Sequence, residues 1–347
     1  MPRLSDIDRN FASYVDADGL IYLDIAEHPE WYFGLKWGPG EGFYRMEAEY
    51  AEQVNTQVKS LAGCTAGGRL RFATDSRRVA LKVSLQNIYA SANMAYIGTA
   101  GFDLYEWQEG AWEFCCSFSP EDGDDFTASW QFAEKKERKL LIHLPLYAGV
   151  RSLQLGLEPN SSIVSAPYAG QEPVVFYGSS ITQGGCASRP GCSYTAILSR
   201  WMDFDYRNLG FSSGARAEES MIRYLQQQPM RILVLDYDHN APNVDYLKRT
   251  HCLLYEKIRK ALPDLPVILA SAPVVNLNDE WCARREIVYE TYLYALGKGD
   301  KKIRFVDGSQ MFDSSCAPVC MVDIYHPNDL GMYYMARAFE PAIREFL

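Results

Sequence analysis

A hydroxyl, an imidazole and a carboxylate stand in this chain where they could act together. Ser180 follows Tyr177-Gly178-Ser179 directly after an apolar run, and Asp323-Ile-Tyr-His326-Pro327 lies just before the last helical stretch. A serine hydroxyl is a weak nucleophile until a base takes its proton. An imidazole serves as that base when a carboxylate fixes its tautomer and stabilises the imidazolium. The i, i+3 spacing of Asp323 and His326 in a turn lets the short carboxylate reach the ring, and Pro327 ends the loop and positions the helix that follows. Gly178 permits a sharp turn, so Ser180 stands at the mouth of a helix with its N–H facing any oxyanion that forms. Two further donors lie between these segments. The N–H of Gly210 in Asn208-Leu-Gly210 is expected to be free, and Asn240, closing Asp236-Tyr-Asp-His-Asn240, offers a side-chain amide. Each of these alone also reads as loop punctuation. Of the five histidines, His143 lies in a strand, His251 in an apolar helical stretch and His28 far away in the amino-terminal region, all structural contexts. His326 is therefore the base, while His239 either touches substrate or supports Asn240.

Such side chains need rigid elements behind them, and the chain supplies two kinds. Up to about residue 165, short alternating runs are separated by turn signals. They are Arg69–Thr74, Val79–Leu85, Gly101–Trp107, Trp112–Phe118, Lys139–Leu144 and Ser152–Leu157. Strands at this spacing indicate a β-sandwich or jelly roll. Alternation also places Cys115 and Cys116 on opposite faces, and the basic run Lys135–Lys139 reads as a solvated turn. Glu158–Pro173, rich in Pro, Ser and Gly, is the linker. After it, apolar strands at Pro173–Tyr177, Arg231–Asp236, Pro266–Ala270 and Ile303–Asp307 alternate with helical patterns at Val244–Ala261, Asp279–Leu296 and Asn328–Leu347. That grammar means a parallel sheet covered on both faces, with the chemistry in loops at the carboxyl ends of its strands. The domains are thus 1–165 and 166–347.

Ser180, Gly210, Asn240 and His326 occur in the order and context of the four blocks of the SGNH (GDSL) hydrolase superfamily, which this chain resembles. Gly178–Tyr194 is similar to the first block of members that carry an amino-terminal β-sandwich. Ala95–Tyr105 and Leu144–Leu153 resemble the first half of that same two-domain group. The resemblance implies a flavodoxin-like three-layer α/β/α hydrolase domain behind a jelly-roll-like sandwich, and metal-free ester hydrolysis without a cofactor. It implies that Ser180 attacks, that His326 is general base then acid, and that Asp323 orients it. The oxyanion would be held by the N–H groups of Ser180 and Gly210 and the amide of Asn240. The usual Gly-Asp-Ser reads Gly178-Ser179-Ser180 here, and the usual Gly-x-Asn-Asp reads Asp238-His239-Asn240-Ala241.

A competing nucleophile is Ser212 in Gly210-Phe-Ser-Ser-Gly214, a formal match to the nucleophile elbow of α/β-hydrolases. That elbow needs a buried strand before it. Asp203–Leu209 is short and polar, whereas Pro173–Tyr177 before Ser180 is apolar.

Composition excludes some classes and colours others. The net charge of −10 offers no basic surface for nucleic acid. No run approaches the ~18 apolar residues of a membrane span, and Met1–Asp8 has no signal-peptide core. The nine cysteines lack zinc spacing, and Cys316 and Cys320 read as reduced thiols, so a cytoplasmic location is expected. The 23 Tyr and 7 Trp fit either sugar stacking or a β-rich segment; taken with the resemblance to two-domain sugar esterases, they imply a carbohydrate or other small-molecule ester carrying a short acyl group such as acetyl. Acyl transfer to an alcohol is the alternative, and a non-catalytic carbohydrate-binding protein is a third. A mobile loop from Gln183 to Ser193 is expected to shape the pocket with Tyr96 or Phe102. Oligomeric state is open.

Overall fold

The computed structural model describes residues 7–8, 17–121, 123–170, 172–275, 278–312 and 315–347. The opening segment Met1–Asp8 lies, apart from Ile7 and Asp8, outside the described residues, as does Gln171 of the linker.

The first half is a sandwich of two antiparallel sheets. One runs in the order Lys36–Gly38, Gly42–Tyr44, Gly149–Leu157, Arg78–Gln86, Asp125–Gln131, and Ile21–Asp24 also pairs with Gly149–Leu157. The other runs Ile163–Ser165, Arg69–Thr74, Arg138–His143, Phe102–Gln108, Ala111–Phe118, and Tyr32–Phe33 also pairs with Arg69–Thr74. Leu70, Phe72, Leu81, Phe102, Leu104, Ile142 and Leu155 interdigitate between them, each fully buried. The alternating runs thus form the expected strands. Part of the linker does as well, because Ile163–Ser165 closes the edge of the second sheet. Two local expectations give way. The register of the Phe102–Gln108 and Ala111–Phe118 pair slips between Leu104 and Tyr105, and this bulge lets both Cys115 and Cys116 pack against the sandwich core. Arg138 is buried at the start of its strand, with its guanidinium over the Phe132 ring, instead of lying in a solvated turn.

The second half has a five-stranded parallel sheet: β1 Val174–Gly178, β2 Tyr206–Gly210, β3 Ile232–Asp236, β4 Val267–Ala270 and β5 Ile303–Val306. Its order is β2-β1-β3-β4-β5. Alternate residues of each strand feed opposite faces. Val175, Tyr177, Leu233, Leu235 and Leu269 join one core, and Val174, Phe176, Ile232, Val234 and Ile268 join the other. The helices are α1 Ser180–Gln183, α2 Tyr194–Met202, α3 Glu219–Gln226, α4 Val244–Ala261, α5 Asp279–Gly297 and α6 Asp329–Arg344. The first core takes α3, α4 and α5, and the second takes α1, α2 and α6, which completes three layers. The order reverses at β1, between β2 and β3, and a crevice opens beyond the carboxyl ends of strands at such a point.

The two cores are not separated cleanly in sequence. Met46, Ala51, Val58, Leu61 and Cys64, from a segment of the first half carrying two short helices, are buried within the core shared by α3 and α4. Around them Arg45, Arg69 and Arg71 reach across. Arg45 donates to the carbonyls of Leu61, Cys64, Asn208 and Gly210, Arg69 stacks on Tyr206, and Arg71 pairs with Asp203. This cover explains β2. Its sequence is polar, yet Tyr206, Asn208 and Leu209 are buried, because the first half closes over the sheet edge.

Candidate active site

Gly178 closes β1 where any side chain would collide. A Cβ there would lie 2.0 Å from Thr182 Oγ1 and 2.4 Å from the Asp236 carbonyl, so only glycine lets the chain turn at that point. Ser179 then caps α1, its hydroxyl accepting from the Ile181 N–H at 3.2 Å. Ser180 is the first residue of that helix, where backbone N–H groups have no intrahelical acceptor. Its Oγ lies 2.9 Å from His326 Nε2. On the far side of the ring, Nδ1 lies 2.9 Å from Asp323 Oδ2. The expected hydroxyl, imidazole and carboxylate therefore stand in one line.

The loop carrying Asp323 and His326 is fixed at both ends. Met321 pairs with Pro327 as an isolated bridge, the Val322 N–H donates to the His326 carbonyl at 2.8 Å, and Asn328 caps α6 through the N–H groups of Leu330 and Gly331. Within the turn, Asp323 Oδ1 accepts from the N–H groups of Tyr325 at 2.8 Å and His326 at 2.7 Å. Its Oδ2 also accepts from Asn93 Nδ2 at 2.7 Å, a donor supplied by the sandwich half. Burial alone would raise this carboxyl, but the Tyr325 and His326 donors outweigh it and bring it down to about 2. The carboxylate is therefore ionised wherever the imidazole can work as a base.

Ser212, the competitor, has different company. Its Oγ bonds to the Tyr147 hydroxyl at 2.7 Å, and its N–H donates to Gln183 Oε1 at 3.2 Å. No imidazole is within hydrogen-bond reach of it among the described residues. Tyr147 also donates to the Ser180 carbonyl at 3.3 Å, so Ser212 braces the turn that carries Ser180.

The donors around a prospective oxyanion differ from expectation. The Gly210 N–H is engaged by Asn208 Oδ1 at 2.9 Å, and Asn208 in turn donates to the Thr182 carbonyl at 2.7 Å. Gly210 serves close packing instead, since a Cβ there would meet Gln183 N at 2.2 Å. Asn240 uses one amide hydrogen on the Phe211 carbonyl at 2.8 Å, which orients the amide and leaves its second hydrogen.

Of the suggested substrate contacts, Phe102 is excluded. It is fully buried in the sandwich core against Phe126, because the period-two strand turns it inward. Tyr96 is 41% exposed at the start of a short helix whose Gly98 packs on the Ala187 carbonyl beside the site. His239 lies against Trp281, ring centroids 4.7 Å apart, with its Nε2 buried and unpartnered. Burial pushes this imidazole down to about 3, with His326 and Arg284 adding to the effect, so it is neutral. Beside it a cleft of about 380 Å³ is lined by Val274, Trp281, Met321, Asp323, Ile324 and Tyr325. The Gln183–Ser193 loop is pinned in place: Asp103 accepts from Arg189 and from the Gly191 N–H at 2.9 Å each, and Ser188 N–H donates to Asp329 at 2.8 Å. The contacts of Asn93, Tyr147 and Gln183 were not foreseen from sequence, since each is made by the fold alone. His28, His143 and His251 are structural: stacked on Trp31, beside Arg200, and bonded to Thr291, respectively.

Comparison with known proteins adds an independent line. Residues 171–344 match the GDSL-like Lipase/Acylhydrolase family, and residues 20–163 match the N-terminus of SGNH-hydrolase-type esterases. No curated protein matches the chain. Among solved structures, a protein described as a GDSL-like lipase from Bacteroides ovatus ATCC 8483 is 28% identical with a TM-score of 0.83, covering 94% of this chain and 98% of that one. A salicylyl-acyltransferase from a tetracycline biosynthetic pathway is 18% identical with a TM-score of 0.78, over 95% and 98%. A family two carbohydrate esterase from Clostridium thermocellum is 15% identical with a TM-score of 0.63, over 94% and 100%. Among the described residues, no helix is long and apolar enough to cross a membrane.

Proposed function

Since the chain belongs to the GDSL-like lipase/acylhydrolase family and is a serine ester hydrolase of the SGNH type, we propose that Ser180, His326 and Asp323 carry out its reaction. The observation that carries the assignment is the continuous run of contacts from Ser180 Oγ through the His326 ring to Asp323. Ser180 Oγ attacks the acyl carbon while its proton passes to His326 Nε2. The imidazolium, held by Asp323, returns that proton to the departing alcohol and leaves an acyl-enzyme. Water, deprotonated by the same ring, then releases the acid and frees Ser180. The Ser180 N–H and the second amide hydrogen of Asn240 hold the oxyanion, while the Gly210 N–H is engaged by Asn208.

The substrate is a short acyl ester, acetyl among the candidates, of a carbohydrate or similar small alcohol. Likeness to carbohydrate esterases supports this, as does the cleft walled by Trp281 and Tyr325 beside His239, with Tyr96 exposed nearby. The exact domain limits proposed are 1–165 and 166–347. A second reading, transfer of the acyl group to an alcohol, is favoured by likeness to the salicylyl-acyltransferase and uses the same groups.

An alkyl phosphonate should add its mass to the peptide containing Ser180, and Ser180→Ala should abolish both label and turnover, with kcat falling at least ~10³-fold. Label persisting in that variant removes the assignment. Product analysis with acetylated sugars, with and without a competing alcohol, separates hydrolysis from transfer.

A further inference from the structure

Cys186 is a thiol the reaction does not use, and it sits beside the groups that the reaction does. One ligating atom each from Cys186, Asp323 and His326 lies within 4.8 Å of the other two. Thiolate, imidazole and carboxylate are the three donor types that zinc takes, and three protein ligands with an open fourth position form a complete zinc site. Zinc would draw those atoms to roughly 3.5 Å apart, given bonds of about 2.0–2.3 Å. Cys186 is 7% exposed, so the sulfur is shielded from bulk water, while the Asp323 and His326 side chains keep 30% and 25% exposure and leave a way in.

We propose that Cys186, Asp323 and His326 form an inhibitory site for a thiophilic divalent cation such as Zn²⁺ or Cd²⁺. Binding releases the thiol proton to solvent and places a metal–nitrogen bond on the ring. Asp323 faces Nδ1, so the ion takes that nitrogen in place of the bond to Asp323 and forces the ring proton onto Nε2, which then donates to Ser180 instead of accepting from it. The base is lost until the ion leaves. Mg²⁺ and Ca²⁺, which prefer oxygen ligands, have no such effect. The inhibition rests on His326 being the base, whereas the site itself does not.

Cobalt separates the two. Co²⁺ added to the whole protein should give a thiolate-to-cobalt charge-transfer band that disappears in Cys186→Gly and in Cys186→Ser. Glycine suits this position because the residue sits at φ 69°, and serine keeps its volume. In ester hydrolysis, Zn²⁺ should inhibit the wild type reversibly, with a chelator restoring the rate. Both variants should keep their metal-free rate while the half-inhibiting concentration rises at least about 10-fold, since even an outer-shell partner contributes about 10- to 100-fold to affinity. A band that survives in both variants overturns the site and points to another thiol set such as Cys316 and Cys320, 3.9 Å apart. A band that vanishes in both variants while Zn²⁺ leaves the wild-type rate unchanged keeps the site and instead removes His326 as the base.

Discussion

Asp323 is held by donors from three directions: Asn93, the backbone of its own turn, and the His326 ring. Those donors keep it ionised down to about pH 2, so its contribution to stability is present above the unfolded value of 3.8 and is lost as pH falls through about 2. Loss of activity on mild acidification therefore belongs to another group. Asp323→Asn should lower kcat by about 10³- to 10⁴-fold with little change in KM, because the amide no longer fixes the ring tautomer. A pH–rate profile of the wild type that broke with the Asp323 carboxyl well above pH 4 would contradict this picture. Asp236, under the turn that carries Ser180, behaves the opposite way. Burial, with Asp238 beside it, raises its carboxyl to about 7, against the Thr182 and Tyr194 hydroxyls that donate to it. Its share of stability is full below the unfolded value of 3.8 and drains away as pH rises through about 7. Thermal melts should show Asp236→Asn gaining on the wild type between about pH 4 and pH 7; a constant gap across that range would refute it. At this scale the contact of Ser180, His326 and Asp323 was readable, because the chemistry proposed for them demands company in a set order. The Asn208 bond to the Gly210 N–H and the burial of Phe102 were not. Whether an N–H is spoken for, or which way a strand faces, depends on neighbours far along the chain.

Helices were legible where the stretch between strands is long. α4, α5 and α6 fall within a few residues of their sequence patterns. α2 and α3 escaped notice because they span only 9 and 8 residues, too few for a helical pattern to stand out. β2 looked too polar for a buried strand, since its cover comes from the other half of the molecule. The loop bearing Asn93 is the clearest case of an element recruited from outside the α/β domain. Asn93→Ala should lower kcat about fivefold at unchanged KM, a single exposed hydrogen bond to a carboxylate being worth roughly 1 kcal/mol. Equal effects on kcat and KM, or none, would argue that Asp323 is positioned by its own turn alone.

For the molecule as a whole, the sandwich and the α/β domain were both foreseen, but not the extent to which they share material. Arg45 is buried and satisfies four carbonyls drawn from both halves. Arg45→Met leaves those acceptors without their donor and should cost at least about 3 kcal/mol, read as a lower urea midpoint with an unchanged slope. Residues 166–347 expressed alone should fail to reach a native state, binding a hydrophobic dye instead of melting cooperatively, because the core around Leu225 and Leu254 lacks Val58 and Leu61. A soluble, cooperatively melting fragment would refute the shared core.

That shared core also sets an order of events at birth. A chain leaving the ribosome presents Met46, Val58 and Leu61 while the strands and helices that cover them are still untranslated. The sandwich can close once Gly149–Leu157 and Ile163–Ser165 are made, but this segment must still wait with its apolar side bare until β1, β2 and α3 arrive. During that interval the unfinished chain is most open to sticking to its neighbours. The β2 edge of the sheet that carries Ser180 is therefore sealed by a piece made long before it.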